Sequence, residues 1–119
     1  MTHGVSQEEL NTPCGQVALK FSIALLNKSF DEAHSLLGSA ICDEWPPHFL
    51  QQTYEEMVEY FEVISISVDS VEVDLPKPDA DNAMVYVSIV GEGDVEAVTV
   101  IVENENGNHV IQDIEWGRP

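Results

Sequence analysis

The spacing of apolar residues changes once along this chain of 119 residues, and the change limits what the chain can fold into. Before about residue 62, apolar side chains recur every three or four positions, the period of a helix with one buried face. From Val63 they alternate with polar residues, the period of a strand. Helices followed by consecutive strands predict an α+β fold, with N-terminal helices packed on one face of an antiparallel sheet.

The first helix has signals at both ends. Ser6 and Glu9 have the spacing of a capping box, and Thr12 followed by Pro13 places an N-cap before a proline at the first helical position. We therefore expect the helix to restart at Thr12. Its apolar face runs from Val17 to Leu26, and Asn27-Lys28 closes it.

Two further helices are predicted. Ser29 or Asp31 can cap a short second helix that ends at Gly38. After a loop, Pro46-Pro47 opens the third helix. The apolar face of the third helix is formed by Leu50, Tyr54, Met57, Val58 and Phe61. Four glutamates occupy its other face, namely Glu55, Glu56, Glu59 and Glu62.

The first strand contains a change of phase. The first apolar residues of the strand are at even positions, namely Ile64, Ile66 and Val68. The later ones are at odd positions, namely Val71, Val73 and Leu75. A one-residue slip of this kind predicts a β-bulge near Asp69-Ser70, which would bend the sheet. Three more strands are expected, over Ala83 to Val90, Val95 to Glu103 and His109 to Trp116. Asn106-Gly107 predicts a type I′ turn between the last two.

The composition fits one globular domain spanning residues 1–119, with 44% of residues apolar. The two cysteines, Cys14 and Cys42, are too few for a disulfide scaffold, so we expect buried or partly buried thiols in a reducing cytoplasm. Neither a signal peptide nor a membrane span is expected. No cofactor is expected either, because the four histidines have no metal-ligand spacing.

The charge is strongly negative. Twenty-two acids and four bases give a formal net charge of -18, which disfavours binding to nucleic acid or anionic lipid. Between Ser29 and Pro76 there are eleven acids and no lysine or arginine, and between Pro78 and Gly117 there are nine more acids and again no such base. Such a surface fits a cationic partner, or a host that lives in high salt.

Three segments carry a family resemblance: the helix–helix run from Ala24 to Ala33 with Leu36-Leu37, the bulged strand from Ile64 to Leu75, and the closing run from Val100 to Trp116. The chain resembles the nuclear transport factor 2-like superfamily, the cone-shaped group that includes ketosteroid isomerase and the SnoaL-like cyclases. His109 departs from the pattern, since relatives often have an aromatic residue after the final turn.

The resemblance implies a strongly curved sheet wrapped about the helices, with a pocket at its open end. Ketosteroid isomerase uses a tyrosine of its first helix region beside a carboxyl base, whereas no tyrosine precedes Tyr54 here. The resemblance therefore assigns no catalytic residue. Some immunity proteins of polymorphic toxin systems resemble the superfamily, so the leading hypothesis is a non-catalytic acidic protein that neutralises a basic protein partner.

Two sets of candidate residues follow. The partner-binding set comprises Glu55, Glu56, Glu59 and Glu62 of the third helix, or the strand-end acids Glu103, Glu105 and Glu115. The alternative function is a pocket protein for a small apolar ligand, or an isomerase-like enzyme. For that alternative the pocket residues are Tyr54, Tyr86 and Trp116, with Asp69 or Asp113 as the base. A homodimer is a third possibility.

Overall fold

A computed structural model of the chain describes residues 12–59, 66–74, 82–91 and 94–117. Three helices come first: α1 (Pro13–Leu26), α2 (Phe30–Ser35) and α3 (Pro47–Val58). Four strands follow: β1 (Ser67–Asp74), β2 (Ala83–Val90), β3 (Val95–Glu105) and β4 (Asn108–Trp116). The α+β architecture predicted from the change of period is confirmed.

The start of α1 confirms the predicted cap. Pro13 is at the first helical position, and the Thr12 hydroxyl accepts a hydrogen bond of 3.0 Å from the backbone N–H of Gly15. One of the four unpaired N–H groups of the helix start is thereby satisfied. The predicted capping box of Ser6 and Glu9 lies outside the described residues.

The end of α1 is a Schellman motif. The backbone N–H of Ser29 donates to the carbonyl of Ala24 at 2.8 Å, and that of Lys28 donates to Leu25 at 3.0 Å. The residue in the left-handed position is Lys28, with φ of 61°. Glycine usually occupies this position because it has no Cβ to crowd the backbone.

We expect Lys28→Gly to raise the free energy of unfolding by about 1 kcal/mol, since glycine removes the left-handed strain. Chemical denaturation of the purified variant measures the change. Lys28→Gln is the control, because it removes the same charge and keeps the Cβ. An equal gain in both variants would assign the effect to charge and contradict the backbone explanation.

The end of α2 differs from the prediction. The helix ends at Ser35, three residues before Gly38, because the chain leaves it to pair with β4 through a parallel bridge between Leu37 and Ile111. Gly38 donates its N–H to the Ile111 carbonyl at 2.7 Å. A Cβ on Gly38 would lie 2.3 Å from Oε1 of Gln112, so the glycine serves close packing and not helix termination.

The third helix ends earlier than its apolar pattern suggested. The pattern extends to Phe61, whereas α3 ends at Val58; Phe61 and Glu62 lie outside the described residues. Leu50 and Tyr54 are its buried positions, and Glu55, Glu56 and Glu59 are exposed on its other face. Both faces of the helix thus have the predicted character over the described turns.

The sheet is an antiparallel meander in the order β1-β2-β3-β4. The predicted bulge is confirmed, since the register of β1 against β2 shifts between Val68 and Ser70. A second shift, with no matching change of phase in the sequence, lies between Ile101 and Val102 in the pairing of β3 with β4. Two bulges bend a sheet more strongly than regular pairing does.

The last hairpin also confirms its prediction. Asn106 and Gly107 have φ of 54° and 90°, as a type I′ turn requires. The turn is supported by the Asn104 side chain, whose Oδ1 accepts from the N–H of Gly107 at 2.9 Å. The strand before the turn, β3, ends at Glu105, two residues later than predicted, and the strand after it, β4, begins at Asn108, one residue earlier than predicted.

The core lies between the helices and one face of the sheet. The helices contribute Phe21, Leu25 and Leu50, each 1% exposed or less. The sheet contributes Val71, Val85, Val87, Val98, Val100, Val102, Ile89 and Ile111. An aromatic cluster extends this core, since the Trp116 ring lies 6.4 Å from that of Phe21 and 5.6 Å from that of Trp45.

Candidate functional site

The sheet has an inner face, covered by the helices, and an outer face turned away from them. Successive residues of a strand point to opposite sides of a sheet. In β2, Val85 and Val87 are buried in the core, whereas Met84 and Tyr86 point to the outer face. Met84 is 44% exposed and lies beside the half-buried Tyr86 on this face.

Strand register arranges the outer face in two rows that cross the sheet. Each row has an acid on β1, an acid on β4 and two uncharged residues between them on β2 and β3. The first row is Glu72, Tyr86, Thr99 and Glu115; the second is Asp74, Met84, Ile101 and Asp113. An apolar stripe two strands wide is thus bounded on both sides by carboxylates.

The stripe contains two adjacent hollows. The larger, of about 590 Å³, is lined by Glu72, Val73, Asp74, Met84, Tyr86, Thr99 and Glu115. The smaller, of about 270 Å³, is lined by Asp74, Asn82, Ala83, Met84 and Ile101. Because Asp74 and Met84 line both, the two hollows adjoin, and together they make a depression lined by both apolar and acidic side chains.

The described sheet has acids on this face but no lysine or arginine. Strands β1 to β4 contain no lysine or arginine. The two lysines among the residues that the structure describes are Lys20 in α1 and Lys28 directly after it, on the helical side of the molecule. The described part of the outer face therefore combines acidic side chains with partly exposed apolar ones and contains no lysine or arginine.

The predicted partner-binding acids are distributed over both sides of the molecule. Glu115 lies in the first row of the outer face, and Glu103 is exposed near the end of β3. Glu55, Glu56 and Glu59 lie on the exposed face of α3, on the helical side. The structure thus separates two acidic surfaces, and only the one on the sheet is joined to an apolar depression.

The carboxylate of Glu105 is hydrogen-bonded to other residues of the chain. One carboxylate oxygen accepts from the Ser39 hydroxyl, and the other accepts from the backbone N–H of Ser39 at 3.1 Å and from Nε2 of Gln112 at 3.3 Å. Oε1 of Gln112 in turn accepts from the N–H of Ala40. This cluster attaches the loop after α2 to the last hairpin, which assigns Glu105 a structural role.

The hydrogen bonds from Ser39, first from its hydroxyl and then from its N–H, lower the pKa of Glu105 from the usual 4.5. A carboxylate with a lowered folded pKa contributes stability above its unfolded pKa and loses it as the pH falls through the folded pKa. We expect Glu105→Gln to be less stable than the wild-type protein at about pH 7, and the difference to shrink toward about pH 3.

Denaturant titrations at several pH values measure this difference. Glu103→Gln is the matched control, because Glu103 is exposed on the same strand. A pH-independent difference for Glu105→Gln, or an equal pH dependence for both variants, would contradict the role of the Ser39 hydrogen bonds.

The three aromatic residues expected to share a pocket lie on two sides of the sheet. Tyr54 is 3% exposed in the core with its ring 6.3 Å from that of Phe30, and burial raises the pKa of its phenol. Trp116 packs on the helical side. Tyr86 alone lies on the outer face, so these rings do not line one common cavity.

The candidate bases of the alternative function are also separated. Asp69 is exposed at the bulge of β1. Asp113 lies in the second row of the outer face, and its Oδ1 accepts from the N–H of Ile114 at 2.9 Å. Asp113 is therefore the one of the two that lies in the rows of the outer face, two strands from Tyr86 and in the other row.

Sequence reasoning missed most of the depression, including Glu72, Asp74, Met84, Thr99 and Ile101. The alternating pattern of the strands contains a usable signal, since it separates inward from outward residues. It does not align the strands with one another. That alignment depends on both bulges, and the one in the β3–β4 pair has no evident signal in the sequence.

Other features bear on site chemistry. Among residues 12–59, 66–74, 82–91 and 94–117, no group of three or more His, Cys, Asp or Glu side chains could hold a metal ion. Cys14 is a buried free thiol and Cys42 a half-buried one, as predicted. None of the described helices is long and apolar enough to cross a membrane.

The comparisons with known proteins concern the fold. No protein-family model matches the chain, and no curated protein matches it. A solved structure from Nostoc punctiforme, a protein of unknown function with a cystatin-like fold, has a TM-score of 0.57 and 15% identity, covering 98% of this chain and 96% of that one.

A second solved structure, Bd1075 from Bdellovibrio bacteriovorus, has a TM-score of 0.51 and 9% identity. The match covers 87% of this chain and only 38% of that protein. At these identities the similarity concerns backbone architecture. Helices packed against a four-stranded antiparallel sheet, together with the Nostoc neighbour, show that the chain has a cystatin-like fold.

Proposed function

We propose that the chain is a non-catalytic binding protein whose outer face docks a basic protein partner. The observation that carries the proposal is the pair of cross-strand rows, in which four acidic residues flank a mostly apolar, partly exposed stripe. Apolar surface supplies most of the free energy of association, and the charges around it select the sign of the partner.

The arrangement suits a cation better than a neutral ligand. Tyr86 presents an aromatic ring between Glu72 and Glu115 in the same row. A lysine or arginine placed over that ring would gain a cation–π contact and would lie beside Glu72, the adjacent acid of the row. Nucleic acid and anionic lipid would be repelled by the same groups.

The same charges disfavour a homodimer through this face. Two copies joined by their outer faces would bring Glu72, Asp74, Asp113 and Glu115 against their own counterparts. Like charges placed together in an interface oppose association. An immunity-type inhibitor that neutralises a basic toxin enzyme in the cytoplasm is the finer form of the proposal, and it rests on the charge and the fold.

The test compares two variants with the same net charge. Glu72→Lys/Glu115→Lys changes the outer face, and Glu55→Lys/Glu56→Lys changes the exposed face of α3. Each immobilised protein is incubated with a lysate of the source cells at low salt, and any basic protein retained is purified for affinity measurement. We expect retention by the wild-type protein and the α3 variant, and loss by the outer-face variant.

Retention of the same basic protein by the outer-face variant, with unchanged affinity, would contradict the proposal. Retention of acidic or neutral proteins only would also contradict it. A rise in melting temperature with small apolar ring compounds, abolished by Tyr86→Ser, would instead favour the pocket-protein alternative, because a ligand that binds only the folded state stabilises it.

A further inference from the structure

The dimensions of the outer face restrict the shape of its partner. Neighbouring strands are about 4.8 Å apart, so the acids on β1 and β4 are separated by three spacings, or about 14 Å. Along each edge strand the two acids of a pair are about 7 Å apart, since they are two residues apart in extended chain. Four carboxylates thus mark the corners of a rectangle around the apolar stripe.

An α-helix with its side chains is about 10–12 Å in diameter. A helix laid along the strands would therefore fit between the two acid pairs and cover the stripe across both central strands. Its apolar side chains would contact Tyr86, Met84 and Ile101. Lysine or arginine side chains on its flanks would lay their aliphatic stems on the apolar stripe and place their charged ends near the carboxylates on either side.

A single extended segment matches the surface less well. One strand covers about 5 Å of width, which is half of the apolar stripe. Its side chains also alternate between two faces, so cations could not flank an apolar contact on both sides at once. A helix presents an apolar stripe with a polar residue on each side of it.

We infer that the outer face binds a basic amphipathic α-helix of its partner, running along β2 and β3 with cationic residues on both flanks. The inference rests on the proposed function and specifies the recognised element. Three observations support the inference: the exposure of Met84, the hollow of about 590 Å³ beside Met84, and the acids on both edge strands.

The experiment uses two synthetic peptides of about 18 residues, short enough to be only partly helical when free. Both contain the same leucines and lysines. In one, leucines recur at i, i+3, i+4 and i+7; in the other, the order is scrambled so that no apolar face forms. Calorimetry gives the affinities for the full chain, and circular dichroism gives the change in helix content.

We expect the amphipathic peptide to bind at least about tenfold more tightly than the scrambled peptide and to become helical on binding. Tyr86→Ser and Met84→Gln should each weaken its binding about tenfold or more. Phe49→Ser is the matched control, since Phe49 is an exposed aromatic residue on the helical side, 47% exposed, and it should leave the affinity unchanged.

Each other outcome contradicts the inference. Equal binding of both peptides would contradict recognition of a helix but would leave the proposed docking of a cationic partner intact. Preferential binding that is insensitive to Tyr86→Ser and Met84→Gln would place the helix on another surface. Binding of neither peptide at low salt would contradict both the inference and the proposed function.

Discussion

Reversing two charges on the outer face, in Glu72→Lys/Glu115→Lys, is expected to weaken binding of a basic partner about 100-fold at low salt. Each reversal replaces a favourable pair with like charges, and a loss of about 1.4 kcal/mol for each residue corresponds to tenfold in affinity. Both residues line the larger hollow, in the same row as Tyr86. Surface plasmon resonance against the purified partner measures the loss.

The matched control is Glu55→Lys/Glu56→Lys, which changes the net charge equally on the helical side. It should lower affinity less than about threefold, since a remote charge acts only through the screened field of the whole protein. Equal losses in the two variants would show that the partner responds to net charge alone. The loss for the outer-face variant should also shrink as salt is added.

The largest effect on stability is expected from Phe21→Ala. Phe21 is fully buried in α1, and its ring contacts that of Trp116 from β4. Its removal leaves a cavity between the first helix and the last strand, which costs about 3–5 kcal/mol in core positions of this kind. Denaturant unfolding followed by tryptophan fluorescence measures the change.

Ile23→Ala is the control on the same helix. Ile23 is 43% exposed, so its truncation should change the free energy of unfolding by less than about 0.5 kcal/mol. Similar losses for the two variants would mean that α1 does not present Phe21 to the core. That result would contradict the packing of the helices on the inner face of the sheet.

The hydrophobic period was sufficient to predict the order of the elements. The slip of phase at Asp69-Ser70 predicted a bulge, and the structure has it between Val68 and Ser70. Local turn chemistry was equally informative, since Asn106-Gly107 adopts the positive φ values expected. These features depend on residues close in sequence, which is why one sequence can reveal them.

Features that depend on distant pairs were not predicted. Gly38 resembled a helix C-cap, whereas its role depends on Gln112 of β4, which its Cβ would overlap. Glu105 resembled a free surface acid, whereas Ser39 and Gln112 bind its carboxylate. No local pattern shows that the loop after α2 pairs with β4.

In the candidate site, too, single residues could be identified from the sequence, whereas their arrangement could not. Tyr86 and Glu115 were both identified from the sequence, but in different sets, one for a ligand pocket and one for a partner. Cross-strand register brings them into the same row, with Thr99 between them. The pairing of aromatic and acidic chemistry on one surface therefore emerges from strand alignment, and not from any segment of the chain alone.

The most direct test of the docking surface is a map of where a small cation binds. Addition of hexa-arginine to the isotope-labelled protein, followed through the amide signals, reports each residue's response. We expect shifts concentrated on the outer face, around Tyr86 and Thr99, that disappear with added salt. Shifts concentrated at Glu55 and Glu56 of α3, or spread evenly over all acids, would contradict docking on the outer face.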